Sequence, residues 1–101
     1  MSDQIYTIDR LREIIAPIAR AYGVAAVWLF GSYSRGEANA DSDVDLLIDH
    51  GRIQTLFELT AFRLDCEDAL GKSVDVVTLD ALSPRFAASI RSDEVLLFDA
   101  A

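Results

Sequence analysis

One cysteine, one histidine, one methionine and two prolines in 101 residues leave several kinds of protein out. Cys66 has no partner for an internal disulfide. His50 has no second imidazole for a zinc site. No apolar run approaches the ~20 residues of a membrane span. The first residues, Met1-Ser2-Asp3-Gln4, lack the basic start and apolar core of a signal peptide. A cytoplasmic protein with no membrane association is therefore expected. Basic residues are also scarce, nine Lys and Arg against seventeen Asp and Glu, for a net charge of −8. A surface that tracks a nucleic-acid backbone needs clustered Lys and Arg, so direct nucleic-acid binding is not expected. The same charge suits a basic protein partner or a metal–nucleotide complex.

What is present is the composition of a soluble globular domain, 51% hydrophobic and 26% charged. There is no linker, internal repeat or low-complexity stretch, so residues 1–101 read as one domain. A core this small leaves part of the stability to partner contacts. Helical spacing of Leu11, Ile14, Ile15, Ile18, Ala19 and Tyr22 predicts a helix over 8–22, capped by Thr7 and closed by Gly23. Pro17 makes a kink or break near Ala16 possible within it. Strands are expected at 24–30, 44–48, 74–79 and 94–98, and a second helix over 54–70 ending at Gly71. In that helix Leu56, Phe57, Leu59, Phe62, Leu64, Cys66, Ala69 and Leu70 are taken as the apolar face. Ser83-Pro84 opens a short helix carrying Phe86, Ala87 and Ile90. Ser34 to Glu37 can form a short helical turn, so the element order is α-β-α-β-α-β-α-β, an α/β fold of the α+β kind.

Two segments carry chemistry. The first, Gly31-Ser32-Tyr33-Ser34-Arg35-Gly36, leaves an apolar strand; the second, Ser42-Asp43-Val44-Asp45-Leu46-Leu47-Ile48, runs into another. Gly31 permits unusual φ and close approach of a phosphate, the N–H groups that follow form an anion site, and the Ser32 hydroxyl adds a donor. Arg35 has two roles open to it: gripping a phosphate, or bracing the loop through Asp41 or Asp43. Ser42 orders the aspartate loop through a backbone hydrogen bond. Asp43 and Asp45 share a strand face, with Cα atoms roughly 6.6 Å apart, where two ionised acids repel unless something pairs them. Magnesium is usually held by one or two carboxylates plus substrate phosphates, which gives the pair a purpose. Asp75, between Val74 and Val76-Val77, completes a triad with them if its strand lies beside theirs; at a sheet edge it needs no such role. Lys72 reads as solvated, Cys66 as packing, Trp28 as packing or interface surface ahead of stacking on adenine, and Tyr33 has no evident chemical task.

The string Leu29-Phe30-Gly31-Ser32-x-x-Arg35-Gly36, then Ser42-Asp43-x-Asp45-Leu46, with Val74-Asp75-Val76-Val77 further on, resembles the nucleotidyltransferase fold of the DNA polymerase β superfamily. It looks most like the minimal nucleotidyltransferases, across nearly the whole chain. The resemblance implies a mixed sheet of about four strands with helices mainly on one face. It implies ATP as substrate, two magnesium ions on Asp43, Asp45 and Asp75, and a triphosphate on Gly31 and Ser32, with Arg35 and Ser42 close by. The implied reaction is transfer of AMP to a hydroxyl with loss of pyrophosphate. It further implies an antitoxin that adenylylates a tyrosine of a HEPN-domain ribonuclease toxin. Two other readings stand beside that one: an antitoxin that neutralises its toxin by binding alone, and the catalytic subunit of a split small-molecule nucleotidyltransferase.

Overall fold

A computed structural model describes residues 4–85, 88 and 93–100. Helix α1, Ile8–Tyr22, starts where the Thr7 hydroxyl accepts from Arg10 N–H, and stops at Gly23, whose N–H returns to the carbonyls of Ala19 and Arg20. Pro17 does not break it. Then come β1 (Ala26–Phe30), β2 (Val44–Asp49), α2 (Leu56–Leu70), β3 (Val74–Thr78), a 3₁₀ turn (Leu79–Ala81) and β4 (Val95–Asp99). Pro84 and Arg85 are helical, as Ser83-Pro84 foretells; Phe86, Ala87 and Ile90 lie outside the described residues.

The four strands form one mixed sheet in the order β3-β2-β1-β4. β1 pairs antiparallel with β2 and with β4, whereas β2 and β3 run parallel. A parallel pair needs a crossover, and α2 supplies it. Both helices lie against the same layer of side chains. Leu11, Ile15, Phe62, Cys66 and Leu70 meet Val27, Leu29, Leu46, Ile48 and Val74 in one buried core. Burial pushes the Cys66 thiol up to about 12, so it packs as a small apolar side chain. Tyr22 stacks edge-on against Phe62 and donates its hydroxyl to Asp65, tying α1 to α2. The expected architecture, helices on one face of a four-stranded mixed sheet, is the one observed.

Because strand side chains alternate, the residues between those core positions face the other way. Cross-strand register lines them up in two rows, Phe30–Asp45–Asp75 and Leu96–Trp28–Leu47–Val77. The sheet edges are occupied from the helix layer. On β3, the Glu67 carboxylate accepts from Val74 N–H at 2.9 Å. On β4, Arg12 donates to the Leu96 carbonyl at 3.0 Å.

α2 departs from the sequence expectation. Thr55 caps it through Glu58 N–H, and the Glu58 side chain returns to the Thr55 hydroxyl. Its apolar residues, however, do not form one face. Phe62, Cys66 and Leu70 are buried, while Phe57 is 90% exposed, Leu56 80% and Leu64 49%. Successive residues around a helix are about 100° apart, so a stretch this rich in apolar side chains cannot turn them all inward. Phe62→Ala is expected to cost about 4 kcal/mol of unfolding free energy. Phe57→Ala, on the outer side of the same helix, should change it by less than ~0.5 kcal/mol. Urea unfolding of both variants checks the contrast.

Candidate active site

β1 ends at Phe30, and the chain reverses through a series of hydrogen-bonded turns rather than the helical turn expected over 34–37. The Gly31 carbonyl collects the N–H groups of Ser34 and Arg35 and the Ser34 hydroxyl, the last at 2.7 Å. Those donors are therefore spent on the turn itself. Within the described residues no hydrogen bond takes up the N–H of Ser32 or Tyr33, or the Ser32 hydroxyl. These three donors are left open on the turn among the described residues.

Gly31 has φ 75°, and a Cβ there would collide with Asp45 Oδ2. The glycine is needed because a carboxylate lies directly against the turn. Asp45 sits on β2 with Phe30 on one side and Asp75 on the other, the latter at the parallel β2/β3 register. That register begins with Val44 N–H donating to the Ser73 carbonyl at 3.0 Å. Burial, the charges of Asp75 and Asp43, and a hydrogen bond to Asp75 raise the Asp45 carboxyl from its ordinary 3.8 to about 6, against the opposing pull of Arg35. Asp43 and Asp75 are exposed, and β3 is an edge strand. Among the described residues no group of three His, Cys, Asp or Glu side chains is arranged to hold a metal ion by itself. Asp45 and Asp75 are cross-strand neighbours, with Asp43 two residues before Asp45 on the same strand face. Completed by substrate phosphates, such a pair suits a divalent cation, which removes the mutual repulsion.

The loop carrying Asp43 is braced as the sequence suggests at one point and not at others. Ser42 Oγ accepts from Asn39 N–H at 2.9 Å, so Ser42 does order the loop. Arg35 pairs with Glu37 at 3.4 Å and Asp93 at 3.3 Å, not with Asp41 or Asp43. Lys72 is not a solvated charge: it is 4% exposed and donates to the Ala40 carbonyl at 2.8 Å, fastening the loop to the start of β3. Its place after the helix-closing Gly71 gave no sign of this, because the contact spans distant parts of the chain. Tyr33 was also unread; it is 4% exposed, and its hydroxyl has no partner among the described residues. His50 lies at the other end of the sheet, 3.6 Å from Asp80.

A turn with free donors, packed against acids on the middle and edge strands of a mixed sheet, defines a nucleotidyl-transferring fold. The model of the family described as polymerase beta nucleotidyltransferase matches residues 13–101, and the chain belongs to that family. The protein adenylyltransferase MntA of Thermococcus cleftensis is 32% identical over 88% of this chain and 94% of its own length. A solved structure provisionally named a minimal nucleotidyltransferase superposes with a TM-score of 0.76 at 32% identity, covering 89% of this chain and 95% of that one. A tri-AMPylated Shewanella oneidensis HEPN toxin in complex with an MNT antitoxin contains a chain that shares the fold, with a TM-score of 0.72 at 19% identity over 93% of this chain and 74% of that one.

Two outcomes follow from the turn and the acid pair. The folded pKa of Asp45 lies above its unfolded value, so its contribution to stability is full below pH ~4 and disappears as pH rises through about 6. Without divalent metal, the melting temperature should fall across that window. Asp45→Asn should flatten the fall and raise Tm at pH 7 by a few degrees; scanning fluorimetry from pH 4 to 7 reads both. Tyr33→Phe removes a buried hydroxyl with no partner, and should leave stability unchanged or raise it by about 1 kcal/mol, as measured by urea unfolding.

Proposed function

We propose that this chain is a magnesium-dependent protein adenylyltransferase, an antitoxin that transfers AMP from ATP to a tyrosine of a HEPN-domain ribonuclease toxin. The observation that carries the reading is Asp45 wedged between the Gly31 turn and Asp75. In it, Asp43, Asp45 and Asp75, together with the substrate phosphates, would hold two magnesium ions, which would supply stabilisation of the negative charge. Ser32, with the N–H groups of Ser32 and Tyr33, receives the triphosphate that Gly31 lets approach. Arg35 gives up part of its pairing with Glu37 and Asp93 to face a phosphate, and Ser42 keeps the aspartate loop in place. Exposed Asp75 takes the proton from the acceptor hydroxyl. The tyrosine oxygen bonds to the α-phosphorus as the bond to pyrophosphate breaks. The protein contributes position and fixed charge rather than covalent chemistry of its own.

The names of the relatives support this choice of reaction and partner, and the acidic chain suits a basic ribonuclease. An added AMP places bulk and negative charge where RNA phosphates must lie, which silences the ribonuclease. With ATP and magnesium, the toxin's mass should rise by one or more AMP units and its ribonuclease activity should fall. Asp43→Asn, Asp45→Asn or chelation of the metal should lower transfer by about a hundredfold or more. Gly31→Ala should do the same by displacing Asp45. A double Asp43/Asp45 variant that silences the toxin as well as the wild type does, with no mass change, establishes neutralisation by binding instead. Mass spectrometry beside a ribonuclease assay decides between them.

A further inference from the structure

The outer face of α2 has no part in the site just described, yet it carries the largest exposed apolar side chains of the described residues. Phe57, Ala61 and Leu64 recur at i, i+4 and i+7, the anchor spacing by which one helix receives another, with the small Ala61 making a hollow between two larger residues. At the N-terminal end Leu56 stands on the rim of a groove of about 480 Å³, lined also by His50, Ile53, Leu59, Thr78 and Asp80. The ridge from Phe57 to Leu64 is about 10 Å long at 1.5 Å per residue, on a helix of about 22 Å. The C-terminal end of the helix passes through Gly71 and Lys72 directly into β3, which carries Asp75.

Charge decides what covers it. α2 bears four acids, Glu58, Asp65, Glu67 and Asp68, against one base, Arg63, and Arg63 is already paired with Glu67 at 3.2 Å. A second copy of a chain with net charge −8 would bring acidic rims together. A partner with an apolar helix flanked by Lys or Arg meets the anchors and the rim at once.

We propose that the outer face of α2, anchored by Phe57 and Leu64 and rimmed by Asp65 and Asp68, is the docking surface for a basic helix of the protein acceptor. It acts apart from the acids, which face the opposite side of the sheet, and holds the acceptor while its hydroxyl reaches round the β3 edge to Asp75. The proposal rests on the protein-acceptor reading above, but it concerns binding rather than transfer.

The test uses the intact chain and a purified HEPN-domain ribonuclease from the same genome as probe. Phe57→Gln with Leu64→Gln should weaken binding by about tenfold or more and raise KM for the ribonuclease in proportion. ATP affinity and kcat at saturating acceptor should stay within about twofold, since neither residue touches the acid pair. Asp68→Lys should slow association and flatten its salt dependence. Circular dichroism confirms that the variants fold, as expected for substitutions at exposed positions. If the wild type transfers AMP and the double variant does so with unchanged KM, the docking surface is wrong and the transfer reading stands. If the wild type binds without transferring, and the double variant loses that binding, the docking surface stands and the transfer reading fails. A wild-type dimer in light scattering that the double variant abolishes assigns the face to a second copy and overturns the proposal. A wild type that neither binds nor modifies the probe overturns both.

Discussion

Electrostatic repulsion between Asp45 and its neighbours is the constraint on which the rest of the structure turns. Left to itself, such a pair would separate into water. It is kept by the parallel register of β2 and β3, which sets Asp45 opposite Asp75. That register exists because α2 carries the chain over the sheet and returns it beside β2. The helix layer thus does more than bury Phe62 and Cys66; it aligns two acids that would otherwise avoid one another. Lys72 adds the second restraint, fixing the Asp43 loop to the root of β3 through the Ala40 carbonyl. Removing the register or the clamp relieves the repulsion and disperses the acids together.

The secondary structure was legible where local rules decide it. Thr7 and Gly23 bound α1 at the residues their chemistry favours, and the apolar runs over 24–30 and 44–48 gave β1 and β2 to within two residues at each end. The placement of Asp75 was legible only conditionally, since nothing local fixes which strand is its neighbour. What could not be read depends on distant contacts. Arg35 has acids close by in sequence at Asp41 and Asp43, but pairs with Glu37 and Asp93, and Asp93 arrives from the other side of β3. Lys72 looked exposed by position and is buried by a loop more than thirty residues away. The Gly31 turn was read for its affinity for phosphate. Its tighter requirement, room for the Asp45 carboxylate, is visible only in three dimensions.

α2 shows how a pattern can be read correctly and interpreted wrongly. Its apolar residues are real, and the helix forms where expected, yet they encircle it rather than lining one side. A small domain has only one layer to bury, and a helix resting on a sheet presents its far side to whatever lies outside. The inner side of α2 thus serves the fold and the outer side serves association, which lets the two evolve separately.

The carboxylate of Glu67 on Val74 N–H and the guanidinium of Arg12 on the Leu96 carbonyl have a bearing on how the molecule survives at high concentration. An open sheet ends in two rows of unsatisfied backbone groups, each a template for another strand. Here one group on each border is already engaged by a side chain from the helices, and Asp75 adds a charge along the β3 border. Strand-by-strand polymerisation, the common failure of small open sheets, must displace an ion from either end before it can begin. A protein that exposes apolar helix surface to meet a partner can tolerate that surface because the sheet, the more dangerous adhesive, has been stoppered.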